Sequence, residues 1–241
     1  MNGIFEVKPN IIENIDYELI ESIEQKIKDK LEINDNEIYY LLVYICYKVR
    51  EKLSIKKQKE LSQNNFENQC DTAQSMIYHY FENFDLTNIA VNIHEIIDEI
   101  TGHSFNVIQI NGKNYLIDPT YIQFFDEKKC DESNFIFKDR IILKTPHPGH
   151  FVQDTKSVEN LLKYGFVPLD EDIARIYGDS FYKTKTGVEK EKIETETMPG
   201  TIYIKAFLKS KSIPSKTEEE LEKDGLLLKP IKQNKKNTKT V

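Results

Sequence analysis

The sequence has no tryptophan, only three cysteines and no long apolar run. Cys46, Cys70 and Cys130 are odd in number, and their spacing matches neither a disulfide framework nor a zinc site. No apolar stretch approaches the roughly 18 residues that a membrane-spanning helix needs. The start MNGIFEVKPNII lacks a basic segment followed by an apolar one, so we expect no Sec signal peptide. We therefore expect reduced thiols, no stable membrane insertion, and a cytoplasmic location or export without a Sec signal.

A basic domain is also missing. The formal net charge is −7, whereas nucleic-acid-binding domains usually carry a basic patch, so we expect no nucleic-acid partner for the folded part. Apolar residues make up 39% of the chain and charged residues 30%, which is typical of a globular protein. With 13 tyrosines and 13 phenylalanines, aromatic side chains must supply much of the core.

Helical periodicity dominates the N-terminal part. Apolar residues recur at helical spacing over 13–31 and again over 36–61, which predicts a helical hairpin. A third helix is predicted from near Cys70 to about residue 84, with Asn68 as its N-cap. Residues 88–97 fit a strand or a mixed segment.

The C-terminal half is less regular. Two short helices are predicted over 156–165, capped by Gly165, and over 170–184, with a turn at Pro168. The segment RIYGDSFY in the second helix is assigned a structural, supporting role. TIYIKAFL, 201–208, is a strand candidate, and the lysine-rich end is predicted to be disordered. The predicted organisation is an N-terminal helical part (1–66), a core with C-terminal helical additions (67–210) and a basic tail (211–241).

The most informative stretch is GHSFNVIQINGKNYLIDPT, 102–120. Asn-Gly between alternating strands predicts a hairpin with a type I′ turn, so opposed residue numbers sum to 223. This register places Phe105 opposite Asp118. Because side chains two apart share a face, His103 and Asp118 are predicted to be diagonal neighbours on one face, within hydrogen-bonding reach. A three-residue loop would instead put them on opposite faces.

Thiol catalysis also needs a nucleophile. Cys70 is predicted at a helix N-terminus, where exposed amides and the helix dipole favour a thiolate. Cys46 lies within the apolar run LLVYICY and fits a buried core residue, and Cys130 lies in a predicted loop without an evident partner. Such catalysis also needs a histidine to shuttle the proton and a group that orients the histidine.

The order Cys70, His103 in GHSFN and Asp118 in YLIDPT resembles the transglutaminase-like branch of the papain-like superfamily. The resemblance covers about residues 66–125 and departs from the family pattern at two places. Ser104-Phe105 replaces the usual x-Trp after the histidine, and Asn-Gln-Cys-Asp-Thr replaces a Gly/Ala-x-Cys-x-aromatic setting. The resemblance implies an α+β fold, in which the helix that begins with the nucleophile packs on an antiparallel sheet.

The resemblance implies Cys70 as nucleophile, His103 as general base and acid, and Asp118 as the group that orients the histidine. The activity that it implies is acyl transfer on a protein or peptide substrate, without cofactor or metal. Similar bacterial effectors and toxins are glutamine deamidases, which makes deamidation the expected reaction. Transglutamination and proteolysis by the same triad stay open, as does an inactive, transglutaminase-like binding or scaffold protein. The oligomeric state and the physiological substrate cannot be read from the sequence.

Two further features of the predicted site stay open. The oxyanion hole would use the Cys70 amide and a second donor from Gln63, Asn64 or Asn65. Among the other histidines, His147 and His150 in TPHPGHF lack a third metal ligand. His79 and His94 have no assigned role, although His94 is the alternative base if His103 fails to reach Cys70.

Overall fold

The computed structural model describes residues 14–61, 64, 66–92, 103–124, 141–142, 151–152, 155–182 and 200–231. Its α-helices are α1 (Tyr17–Lys28), α2 (Asp35–Lys56), α3 (Cys70–Phe81), α4 (Thr155–Tyr164), α5 (Glu171–Tyr182), α6 (Gly200–Lys209) and α7 (Glu218–Lys223). Its strands are β1 (Thr87–Asn92), β2 (Ser104–Ile110), β3 (Lys113–Ile117), β4 (Ile141–Ile142), β5 (Phe151–Val152) and β6 (Phe166–Pro168). A 3₁₀ turn covers Tyr121–Phe124.

The N-terminal helical hairpin agrees with the prediction. Asp16 caps α1 through its side chain, and Asn34 and Glu37 form a reciprocal capping box at the start of α2. The isoleucines of α1 point inward, as their helical spacing requires. None of the described helices is long and apolar enough to cross a bilayer.

The fold is α+β, with an antiparallel sheet in the order β1-β2-β3-β6. Helix α3 packs on β1 and β2, where the Gln74 side-chain amide donates to the carbonyl oxygens of Val91 (2.8 Å) and Phe105 (3.3 Å). Helices α5 and α6 meet the aromatic ring of Phe105, through Tyr177 at 4.8 Å and Phe207 at 5.2 Å between ring centroids. The sheet thus lies between helices that contribute side chains to one core.

Two predicted elements are corrected by the structure. The segment TIYIKAFL is helical (α6), because Tyr203 and Phe207, four residues apart, are both buried while Ile202 is exposed. The β-branched residues suggested a strand, but the spacing of the aromatic pair decides the outcome. Pro168 does not form a turn; it ends β6, the last strand of the sheet, and pairs with Tyr115. A proline is tolerated at such an edge.

The C-terminal segment also differs from the prediction of disorder. Leu221, Leu226, Leu228 and Ile231 are buried in the core. The Ile231 amide donates to the buried carboxylate of Glu24 at 2.9 Å. The segment 211–231 is therefore packed on the rest of the protein, and residues 232–241 lie outside the described part of the chain.

Gly165 follows α4 with φ of +83°, as predicted for a C-terminal cap. An added Cβ would lie 2.8 Å from Pro119 Cα and 3.2 Å from Cys46 Cβ. We expect Gly165→Ala to lower the free energy of unfolding by about 3 kcal/mol, from backbone strain plus this clash. Gly112→Ala is the matched control, because Gly112 also has a positive φ but an added Cβ would have no atom within 4 Å. It should lower the free energy of unfolding by only about 1 kcal/mol. Urea unfolding measures both, and equal losses would contradict the close packing at Gly165.

Candidate active site

The β2–β3 hairpin has the predicted register. Asn111 and Gly112 both have positive φ, of 50° and 73°, as a type I′ turn requires. The pairs run from Ile110 opposite Lys113 to Asn106 opposite Ile117, each summing to 223. His103 Nε2 and Asp118 Oδ2 lie 2.6 Å apart, so the predicted contact between histidine and aspartate is present.

The carboxylate of Asp118 has a complete set of hydrogen-bond donors. His103 Nε2 and the Tyr177 hydroxyl (2.9 Å) both bond to Oδ2. Oδ1 accepts from the Thr120 amide (3.1 Å) and the Thr120 hydroxyl (2.8 Å). With two donors on each oxygen in a buried site, the carboxylate plane is fixed, and so is the imidazole that bonds to it.

Hydrogen bonds to α2 and to the end of α4 fix the backbone around Asp118. The Asp118 amide donates to the Gly165 carbonyl oxygen at 2.7 Å. Arg50, fully buried on α2, donates to three carbonyl oxygens, those of Pro119 (2.7 Å), Lys163 (2.6 Å) and Leu162 (2.9 Å). Burial lowers the pKa of Arg50 to about 10, but the three bonds satisfy its guanidinium. Arg50 thus fixes the turn that carries Asp118 against the end of α4.

Cys70 is the first residue of α3. Gln69 occupies the N-cap position without a side-chain cap, and the first intrahelical amide is that of Ala73, which donates to the Gln69 carbonyl. The prediction that Asn68 caps this helix is therefore wrong, because Asn68 adopts a left-handed backbone (φ 56°) one residue before the N-cap. Without an Asx cap, the amides of the first turn stay directed towards the cysteine end of the helix.

Cys70 and His103 are neighbours in the site. The Cys70 side chain lies near the His103 ring and is among the groups that raise the pKa of the imidazole. Burial lowers the pKa of His103, but the charge and hydrogen bond of Asp118, with a smaller contribution from Cys70, raise it to about 10 overall. The raised pKa favours the imidazolium form of His103 at neutral pH.

A buried polar cluster holds α3 against the two strands. Asn92 Oδ1 accepts from Ser104 Oγ at 2.8 Å and from Gln74 Nε2 at 3.0 Å. Ser104 Oγ also lies within hydrogen-bonding distance of the Asp71 carboxylate, so Asn92 and Asp71 share its one hydroxyl hydrogen. Asp71 and Ser104 directly follow the candidate nucleophile and the candidate base in sequence. The cluster therefore fixes the relative position of these two catalytic candidates.

The other described thiol differs from Cys70 in chemistry. Cys46 is fully buried in α2, and its Sγ contacts the Gly165 carbonyl oxygen at 3.5 Å. Burial raises its pKa to about 12. Cys70 is 9% exposed, whereas His103 and Asp118 are each 1% exposed. Cys130 lies outside the described residues.

The candidate oxyanion donors are only partly described. Asn64 Nδ2 donates to Ser54 Oγ at 3.0 Å, and its Oδ1 accepts from the Phe66 amide (3.0 Å) and Gln69 Nε2 (3.2 Å). The Asn64 side chain is thus committed to the loop before α3, which argues against its role as second donor. Gln63 and Asn65 lie outside the described residues, and the Cys70 amide remains a candidate.

Of the remaining histidines, only His79 is described. It lies near the end of α3, with Nδ1 2.5 Å from the Glu82 carboxylate and Nε2 2.8 Å from the Lys216 carbonyl oxygen. It therefore belongs to the contact between α3 and the C-terminal segment. His94, His147 and His150 lie outside the described residues. Within the described part of the chain, no group of three or more His, Cys, Asp or Glu side chains is placed to hold a metal ion.

Sequence reasoning missed two residues that support the site, Thr120 and Arg50. The run Asp-Pro-Thr, which is favourable turn chemistry, gave a signal for Thr120. Arg50 could have been noticed as a charged residue on the apolar face of α2. Tyr177 lies in the segment RIYGDSFY, to which a supporting role was assigned, but its bond to Asp118 was not predicted.

No protein-family model matches this chain, and no curated protein or solved structure matches it either. The site therefore has to be interpreted from its own geometry and chemistry.

Proposed function

We propose that this protein is a cysteine-dependent acyl-transfer enzyme of the transglutaminase-like kind, and that it deamidates glutamine side chains. The observation that carries the proposal is the buried contact between His103 Nε2 and Asp118 Oδ2, at 2.6 Å, close to Cys70 at the start of α3. Each role has its physical basis: a helix N-terminus for the thiolate, an imidazole for proton transfer and a fixed carboxylate for orientation.

The reaction follows from these roles. The Cys70 thiolate attacks the carboxamide carbon, and an S–C bond forms. His103 gives its proton to the nitrogen as the C–N bond breaks, which releases ammonia and leaves a thioester. Water then attacks the thioester carbon and His103 takes its proton. The thiolate leaves, and the net change is glutamine plus water to glutamate plus ammonia.

The limited exposure of the site favours a side-chain amide as substrate. Cys70 is 9% exposed and His103 is 1% exposed, so the reacting group must arrive through a restricted opening. A carboxamide at the end of a flexible side chain fits such an opening better than a peptide bond with chain on both sides. Transglutamination would use the same thioester with an amine in place of water, and proteolysis stays an alternative outcome.

The first test is thiol reactivity. Iodoacetamide labelling, followed by peptide mass spectrometry, should modify Cys70 at least about 100-fold faster than Cys46 at pH 7, because a thiolate reacts and Cys46 is both buried and protonated. The Cys70 rate should change near pH 10, where His103 loses its proton. Equal rates for the two thiols would instead support an inactive binding or scaffold protein.

The second test identifies the acyl acceptor. The protein is incubated with a proteome in water enriched in ¹⁸O, and the products are analysed by mass spectrometry. Deamidation predicts glutamate that carries ¹⁸O, together with released ammonia. Cross-linked peptides would indicate transglutamination and new chain termini would indicate proteolysis, and either would contradict the deamidase assignment.

A further inference from the structure

Tyr177 on α5 contacts the candidate triad from outside the segment that carries the catalytic residues. Its hydroxyl donates to Asp118 Oδ2 at 2.9 Å, across 59 residues of sequence. This is the same oxygen that bonds to His103 Nε2 at 2.6 Å. The tyrosine and the histidine therefore compete for the electron density of one carboxylate oxygen.

The tyrosine ring is rigidly packed. It is fully buried, stacks on Tyr121 with ring centroids 5.4 Å apart, and meets the edge of Phe105 at 4.8 Å. Burial first, and then the negative charge of Asp118, raise the pKa of Tyr177 well above its usual value, so its hydroxyl keeps its proton. A neutral tyrosine that cannot rotate away is a permanent donor to Asp118.

We infer that Tyr177 is a positioning residue of the site, which acts through Asp118 to set how tightly His103 holds its proton. The inference rests on the proposed function for its catalytic meaning, although its effect on His103 can be measured without turnover. Donation from Tyr177 withdraws charge from Oδ2 and weakens the attraction of Asp118 for the imidazolium. His103 therefore remains acidic enough to protonate the leaving nitrogen.

Other groups act on Asp118 as well. Those that face it are His103 just before β2, Tyr177 from α5, Tyr121 from the 3₁₀ turn, and Arg50 and Cys46 from α2. Arg50 bonds to backbone carbonyls, and Cys46 holds its proton up to about pH 12. Among these groups, His103 and Tyr177 both bond to Oδ2, so removal of the Tyr177 hydroxyl bears directly on the bond to His103.

The test is Tyr177→Phe in the full chain, with His103 titrated by NMR of ¹⁵N-labelled histidine. We expect the pKa of His103 to rise by about one unit, because Asp118 becomes a stronger acceptor. If the protein deamidates glutamine, kcat should fall about tenfold with KM unchanged, a small part of the effect of general acid–base catalysis. An unchanged or lowered His103 pKa would overturn the inference.

Tyr80→Phe is the matched control. Tyr80 is also buried, and its hydroxyl donates to the buried carboxylate of Glu24 at 2.6 Å, near the C-terminal segment. Tyr80→Phe should lower the free energy of unfolding by about as much as Tyr177→Phe does. It should leave the pKa of His103 and kcat as they are in the unchanged protein. Equal effects of both variants on His103 would reduce Tyr177 to a structural role. If the unchanged protein shows no deamidase turnover but Tyr177→Phe still raises the pKa of His103, the proposed function is contradicted and the inference about Tyr177 is kept.

Discussion

Cys70→Ser is expected to give a folded protein whose deamidase turnover is at least about 1,000-fold lower, because an unactivated hydroxyl is a far weaker nucleophile than a thiolate. The particular reason lies in His103. Its pKa of about 10 means that the imidazole is already protonated at neutral pH and cannot remove a proton from serine. A thiol is less affected by this limit, because it is more acidic than a hydroxyl and intrinsically the stronger nucleophile.

Cys46→Ser is the matched control for this prediction. The same atom is exchanged, and the new hydroxyl can donate to the Gly165 carbonyl that Cys46 Sγ already contacts at 3.5 Å. Turnover should stay within about twofold, since surrounding contacts are kept. Steady-state ammonia release measures both variants, and circular dichroism checks that both are folded. Substantial residual activity in Cys70→Ser, or an equal loss in Cys46→Ser, would contradict Cys70 as the nucleophile.

The contact between His103 and Asp118 could be predicted because it depends on local rules. Asn111 and Gly112 define the turn, the turn defines the register, and the register brings the two side chains to one face. All of this information lies within one short stretch of chain. The prediction needed no knowledge of what packs against the hairpin.

The meeting of Cys70 with His103 is a different kind of prediction. The sequence indicated that Cys70 begins a helix, but its position over the sheet depends on the packing of α3 and on the cluster around Asn92. Only the resemblance to a known family suggested that the cysteine and histidine come together. Long-range packing of this kind leaves no periodic signal in the sequence.

The errors have equally local causes. The segment 201–208 combines β-branched residues with aromatic residues at helical spacing, and burial of Tyr203 and Phe207 decided between the two. The end of the chain looked disordered by composition, yet Leu226, Leu228 and Ile231 each find a place in the core. Composition describes an average over a segment, whereas packing depends on single side chains.

Asp118→Asn is expected to lower kcat by about 1,000-fold or more, in line with the loss of an orienting carboxylate from a triad. Thr120 donates from both its amide and its hydroxyl to Oδ1, so an asparagine at 118 should place its carbonyl oxygen there. Its NH₂ group then occupies the position of Oδ2. That group can only donate, and it meets two former donors, His103 Nε2 and the Tyr177 hydroxyl.

The histidine can resolve this conflict in one way, by moving its proton to Nδ1 and accepting from the new amide through Nε2. A neutral His103 protonated at Nδ1 lacks the positive charge that would stabilise a thiolate. We therefore expect Cys70 alkylation at pH 7 to slow together with kcat, and ¹⁵N NMR to show a neutral His103 protonated at Nδ1. Asp170→Asn is the control, because Asp170 Oδ1 accepts from the Ile173 amide at the start of α5, and asparagine caps a helix about equally well. Fast alkylation of Cys70 in Asp118→Asn would mean that the thiolate does not depend on the protonation of His103, and the triad would lose its orienting member.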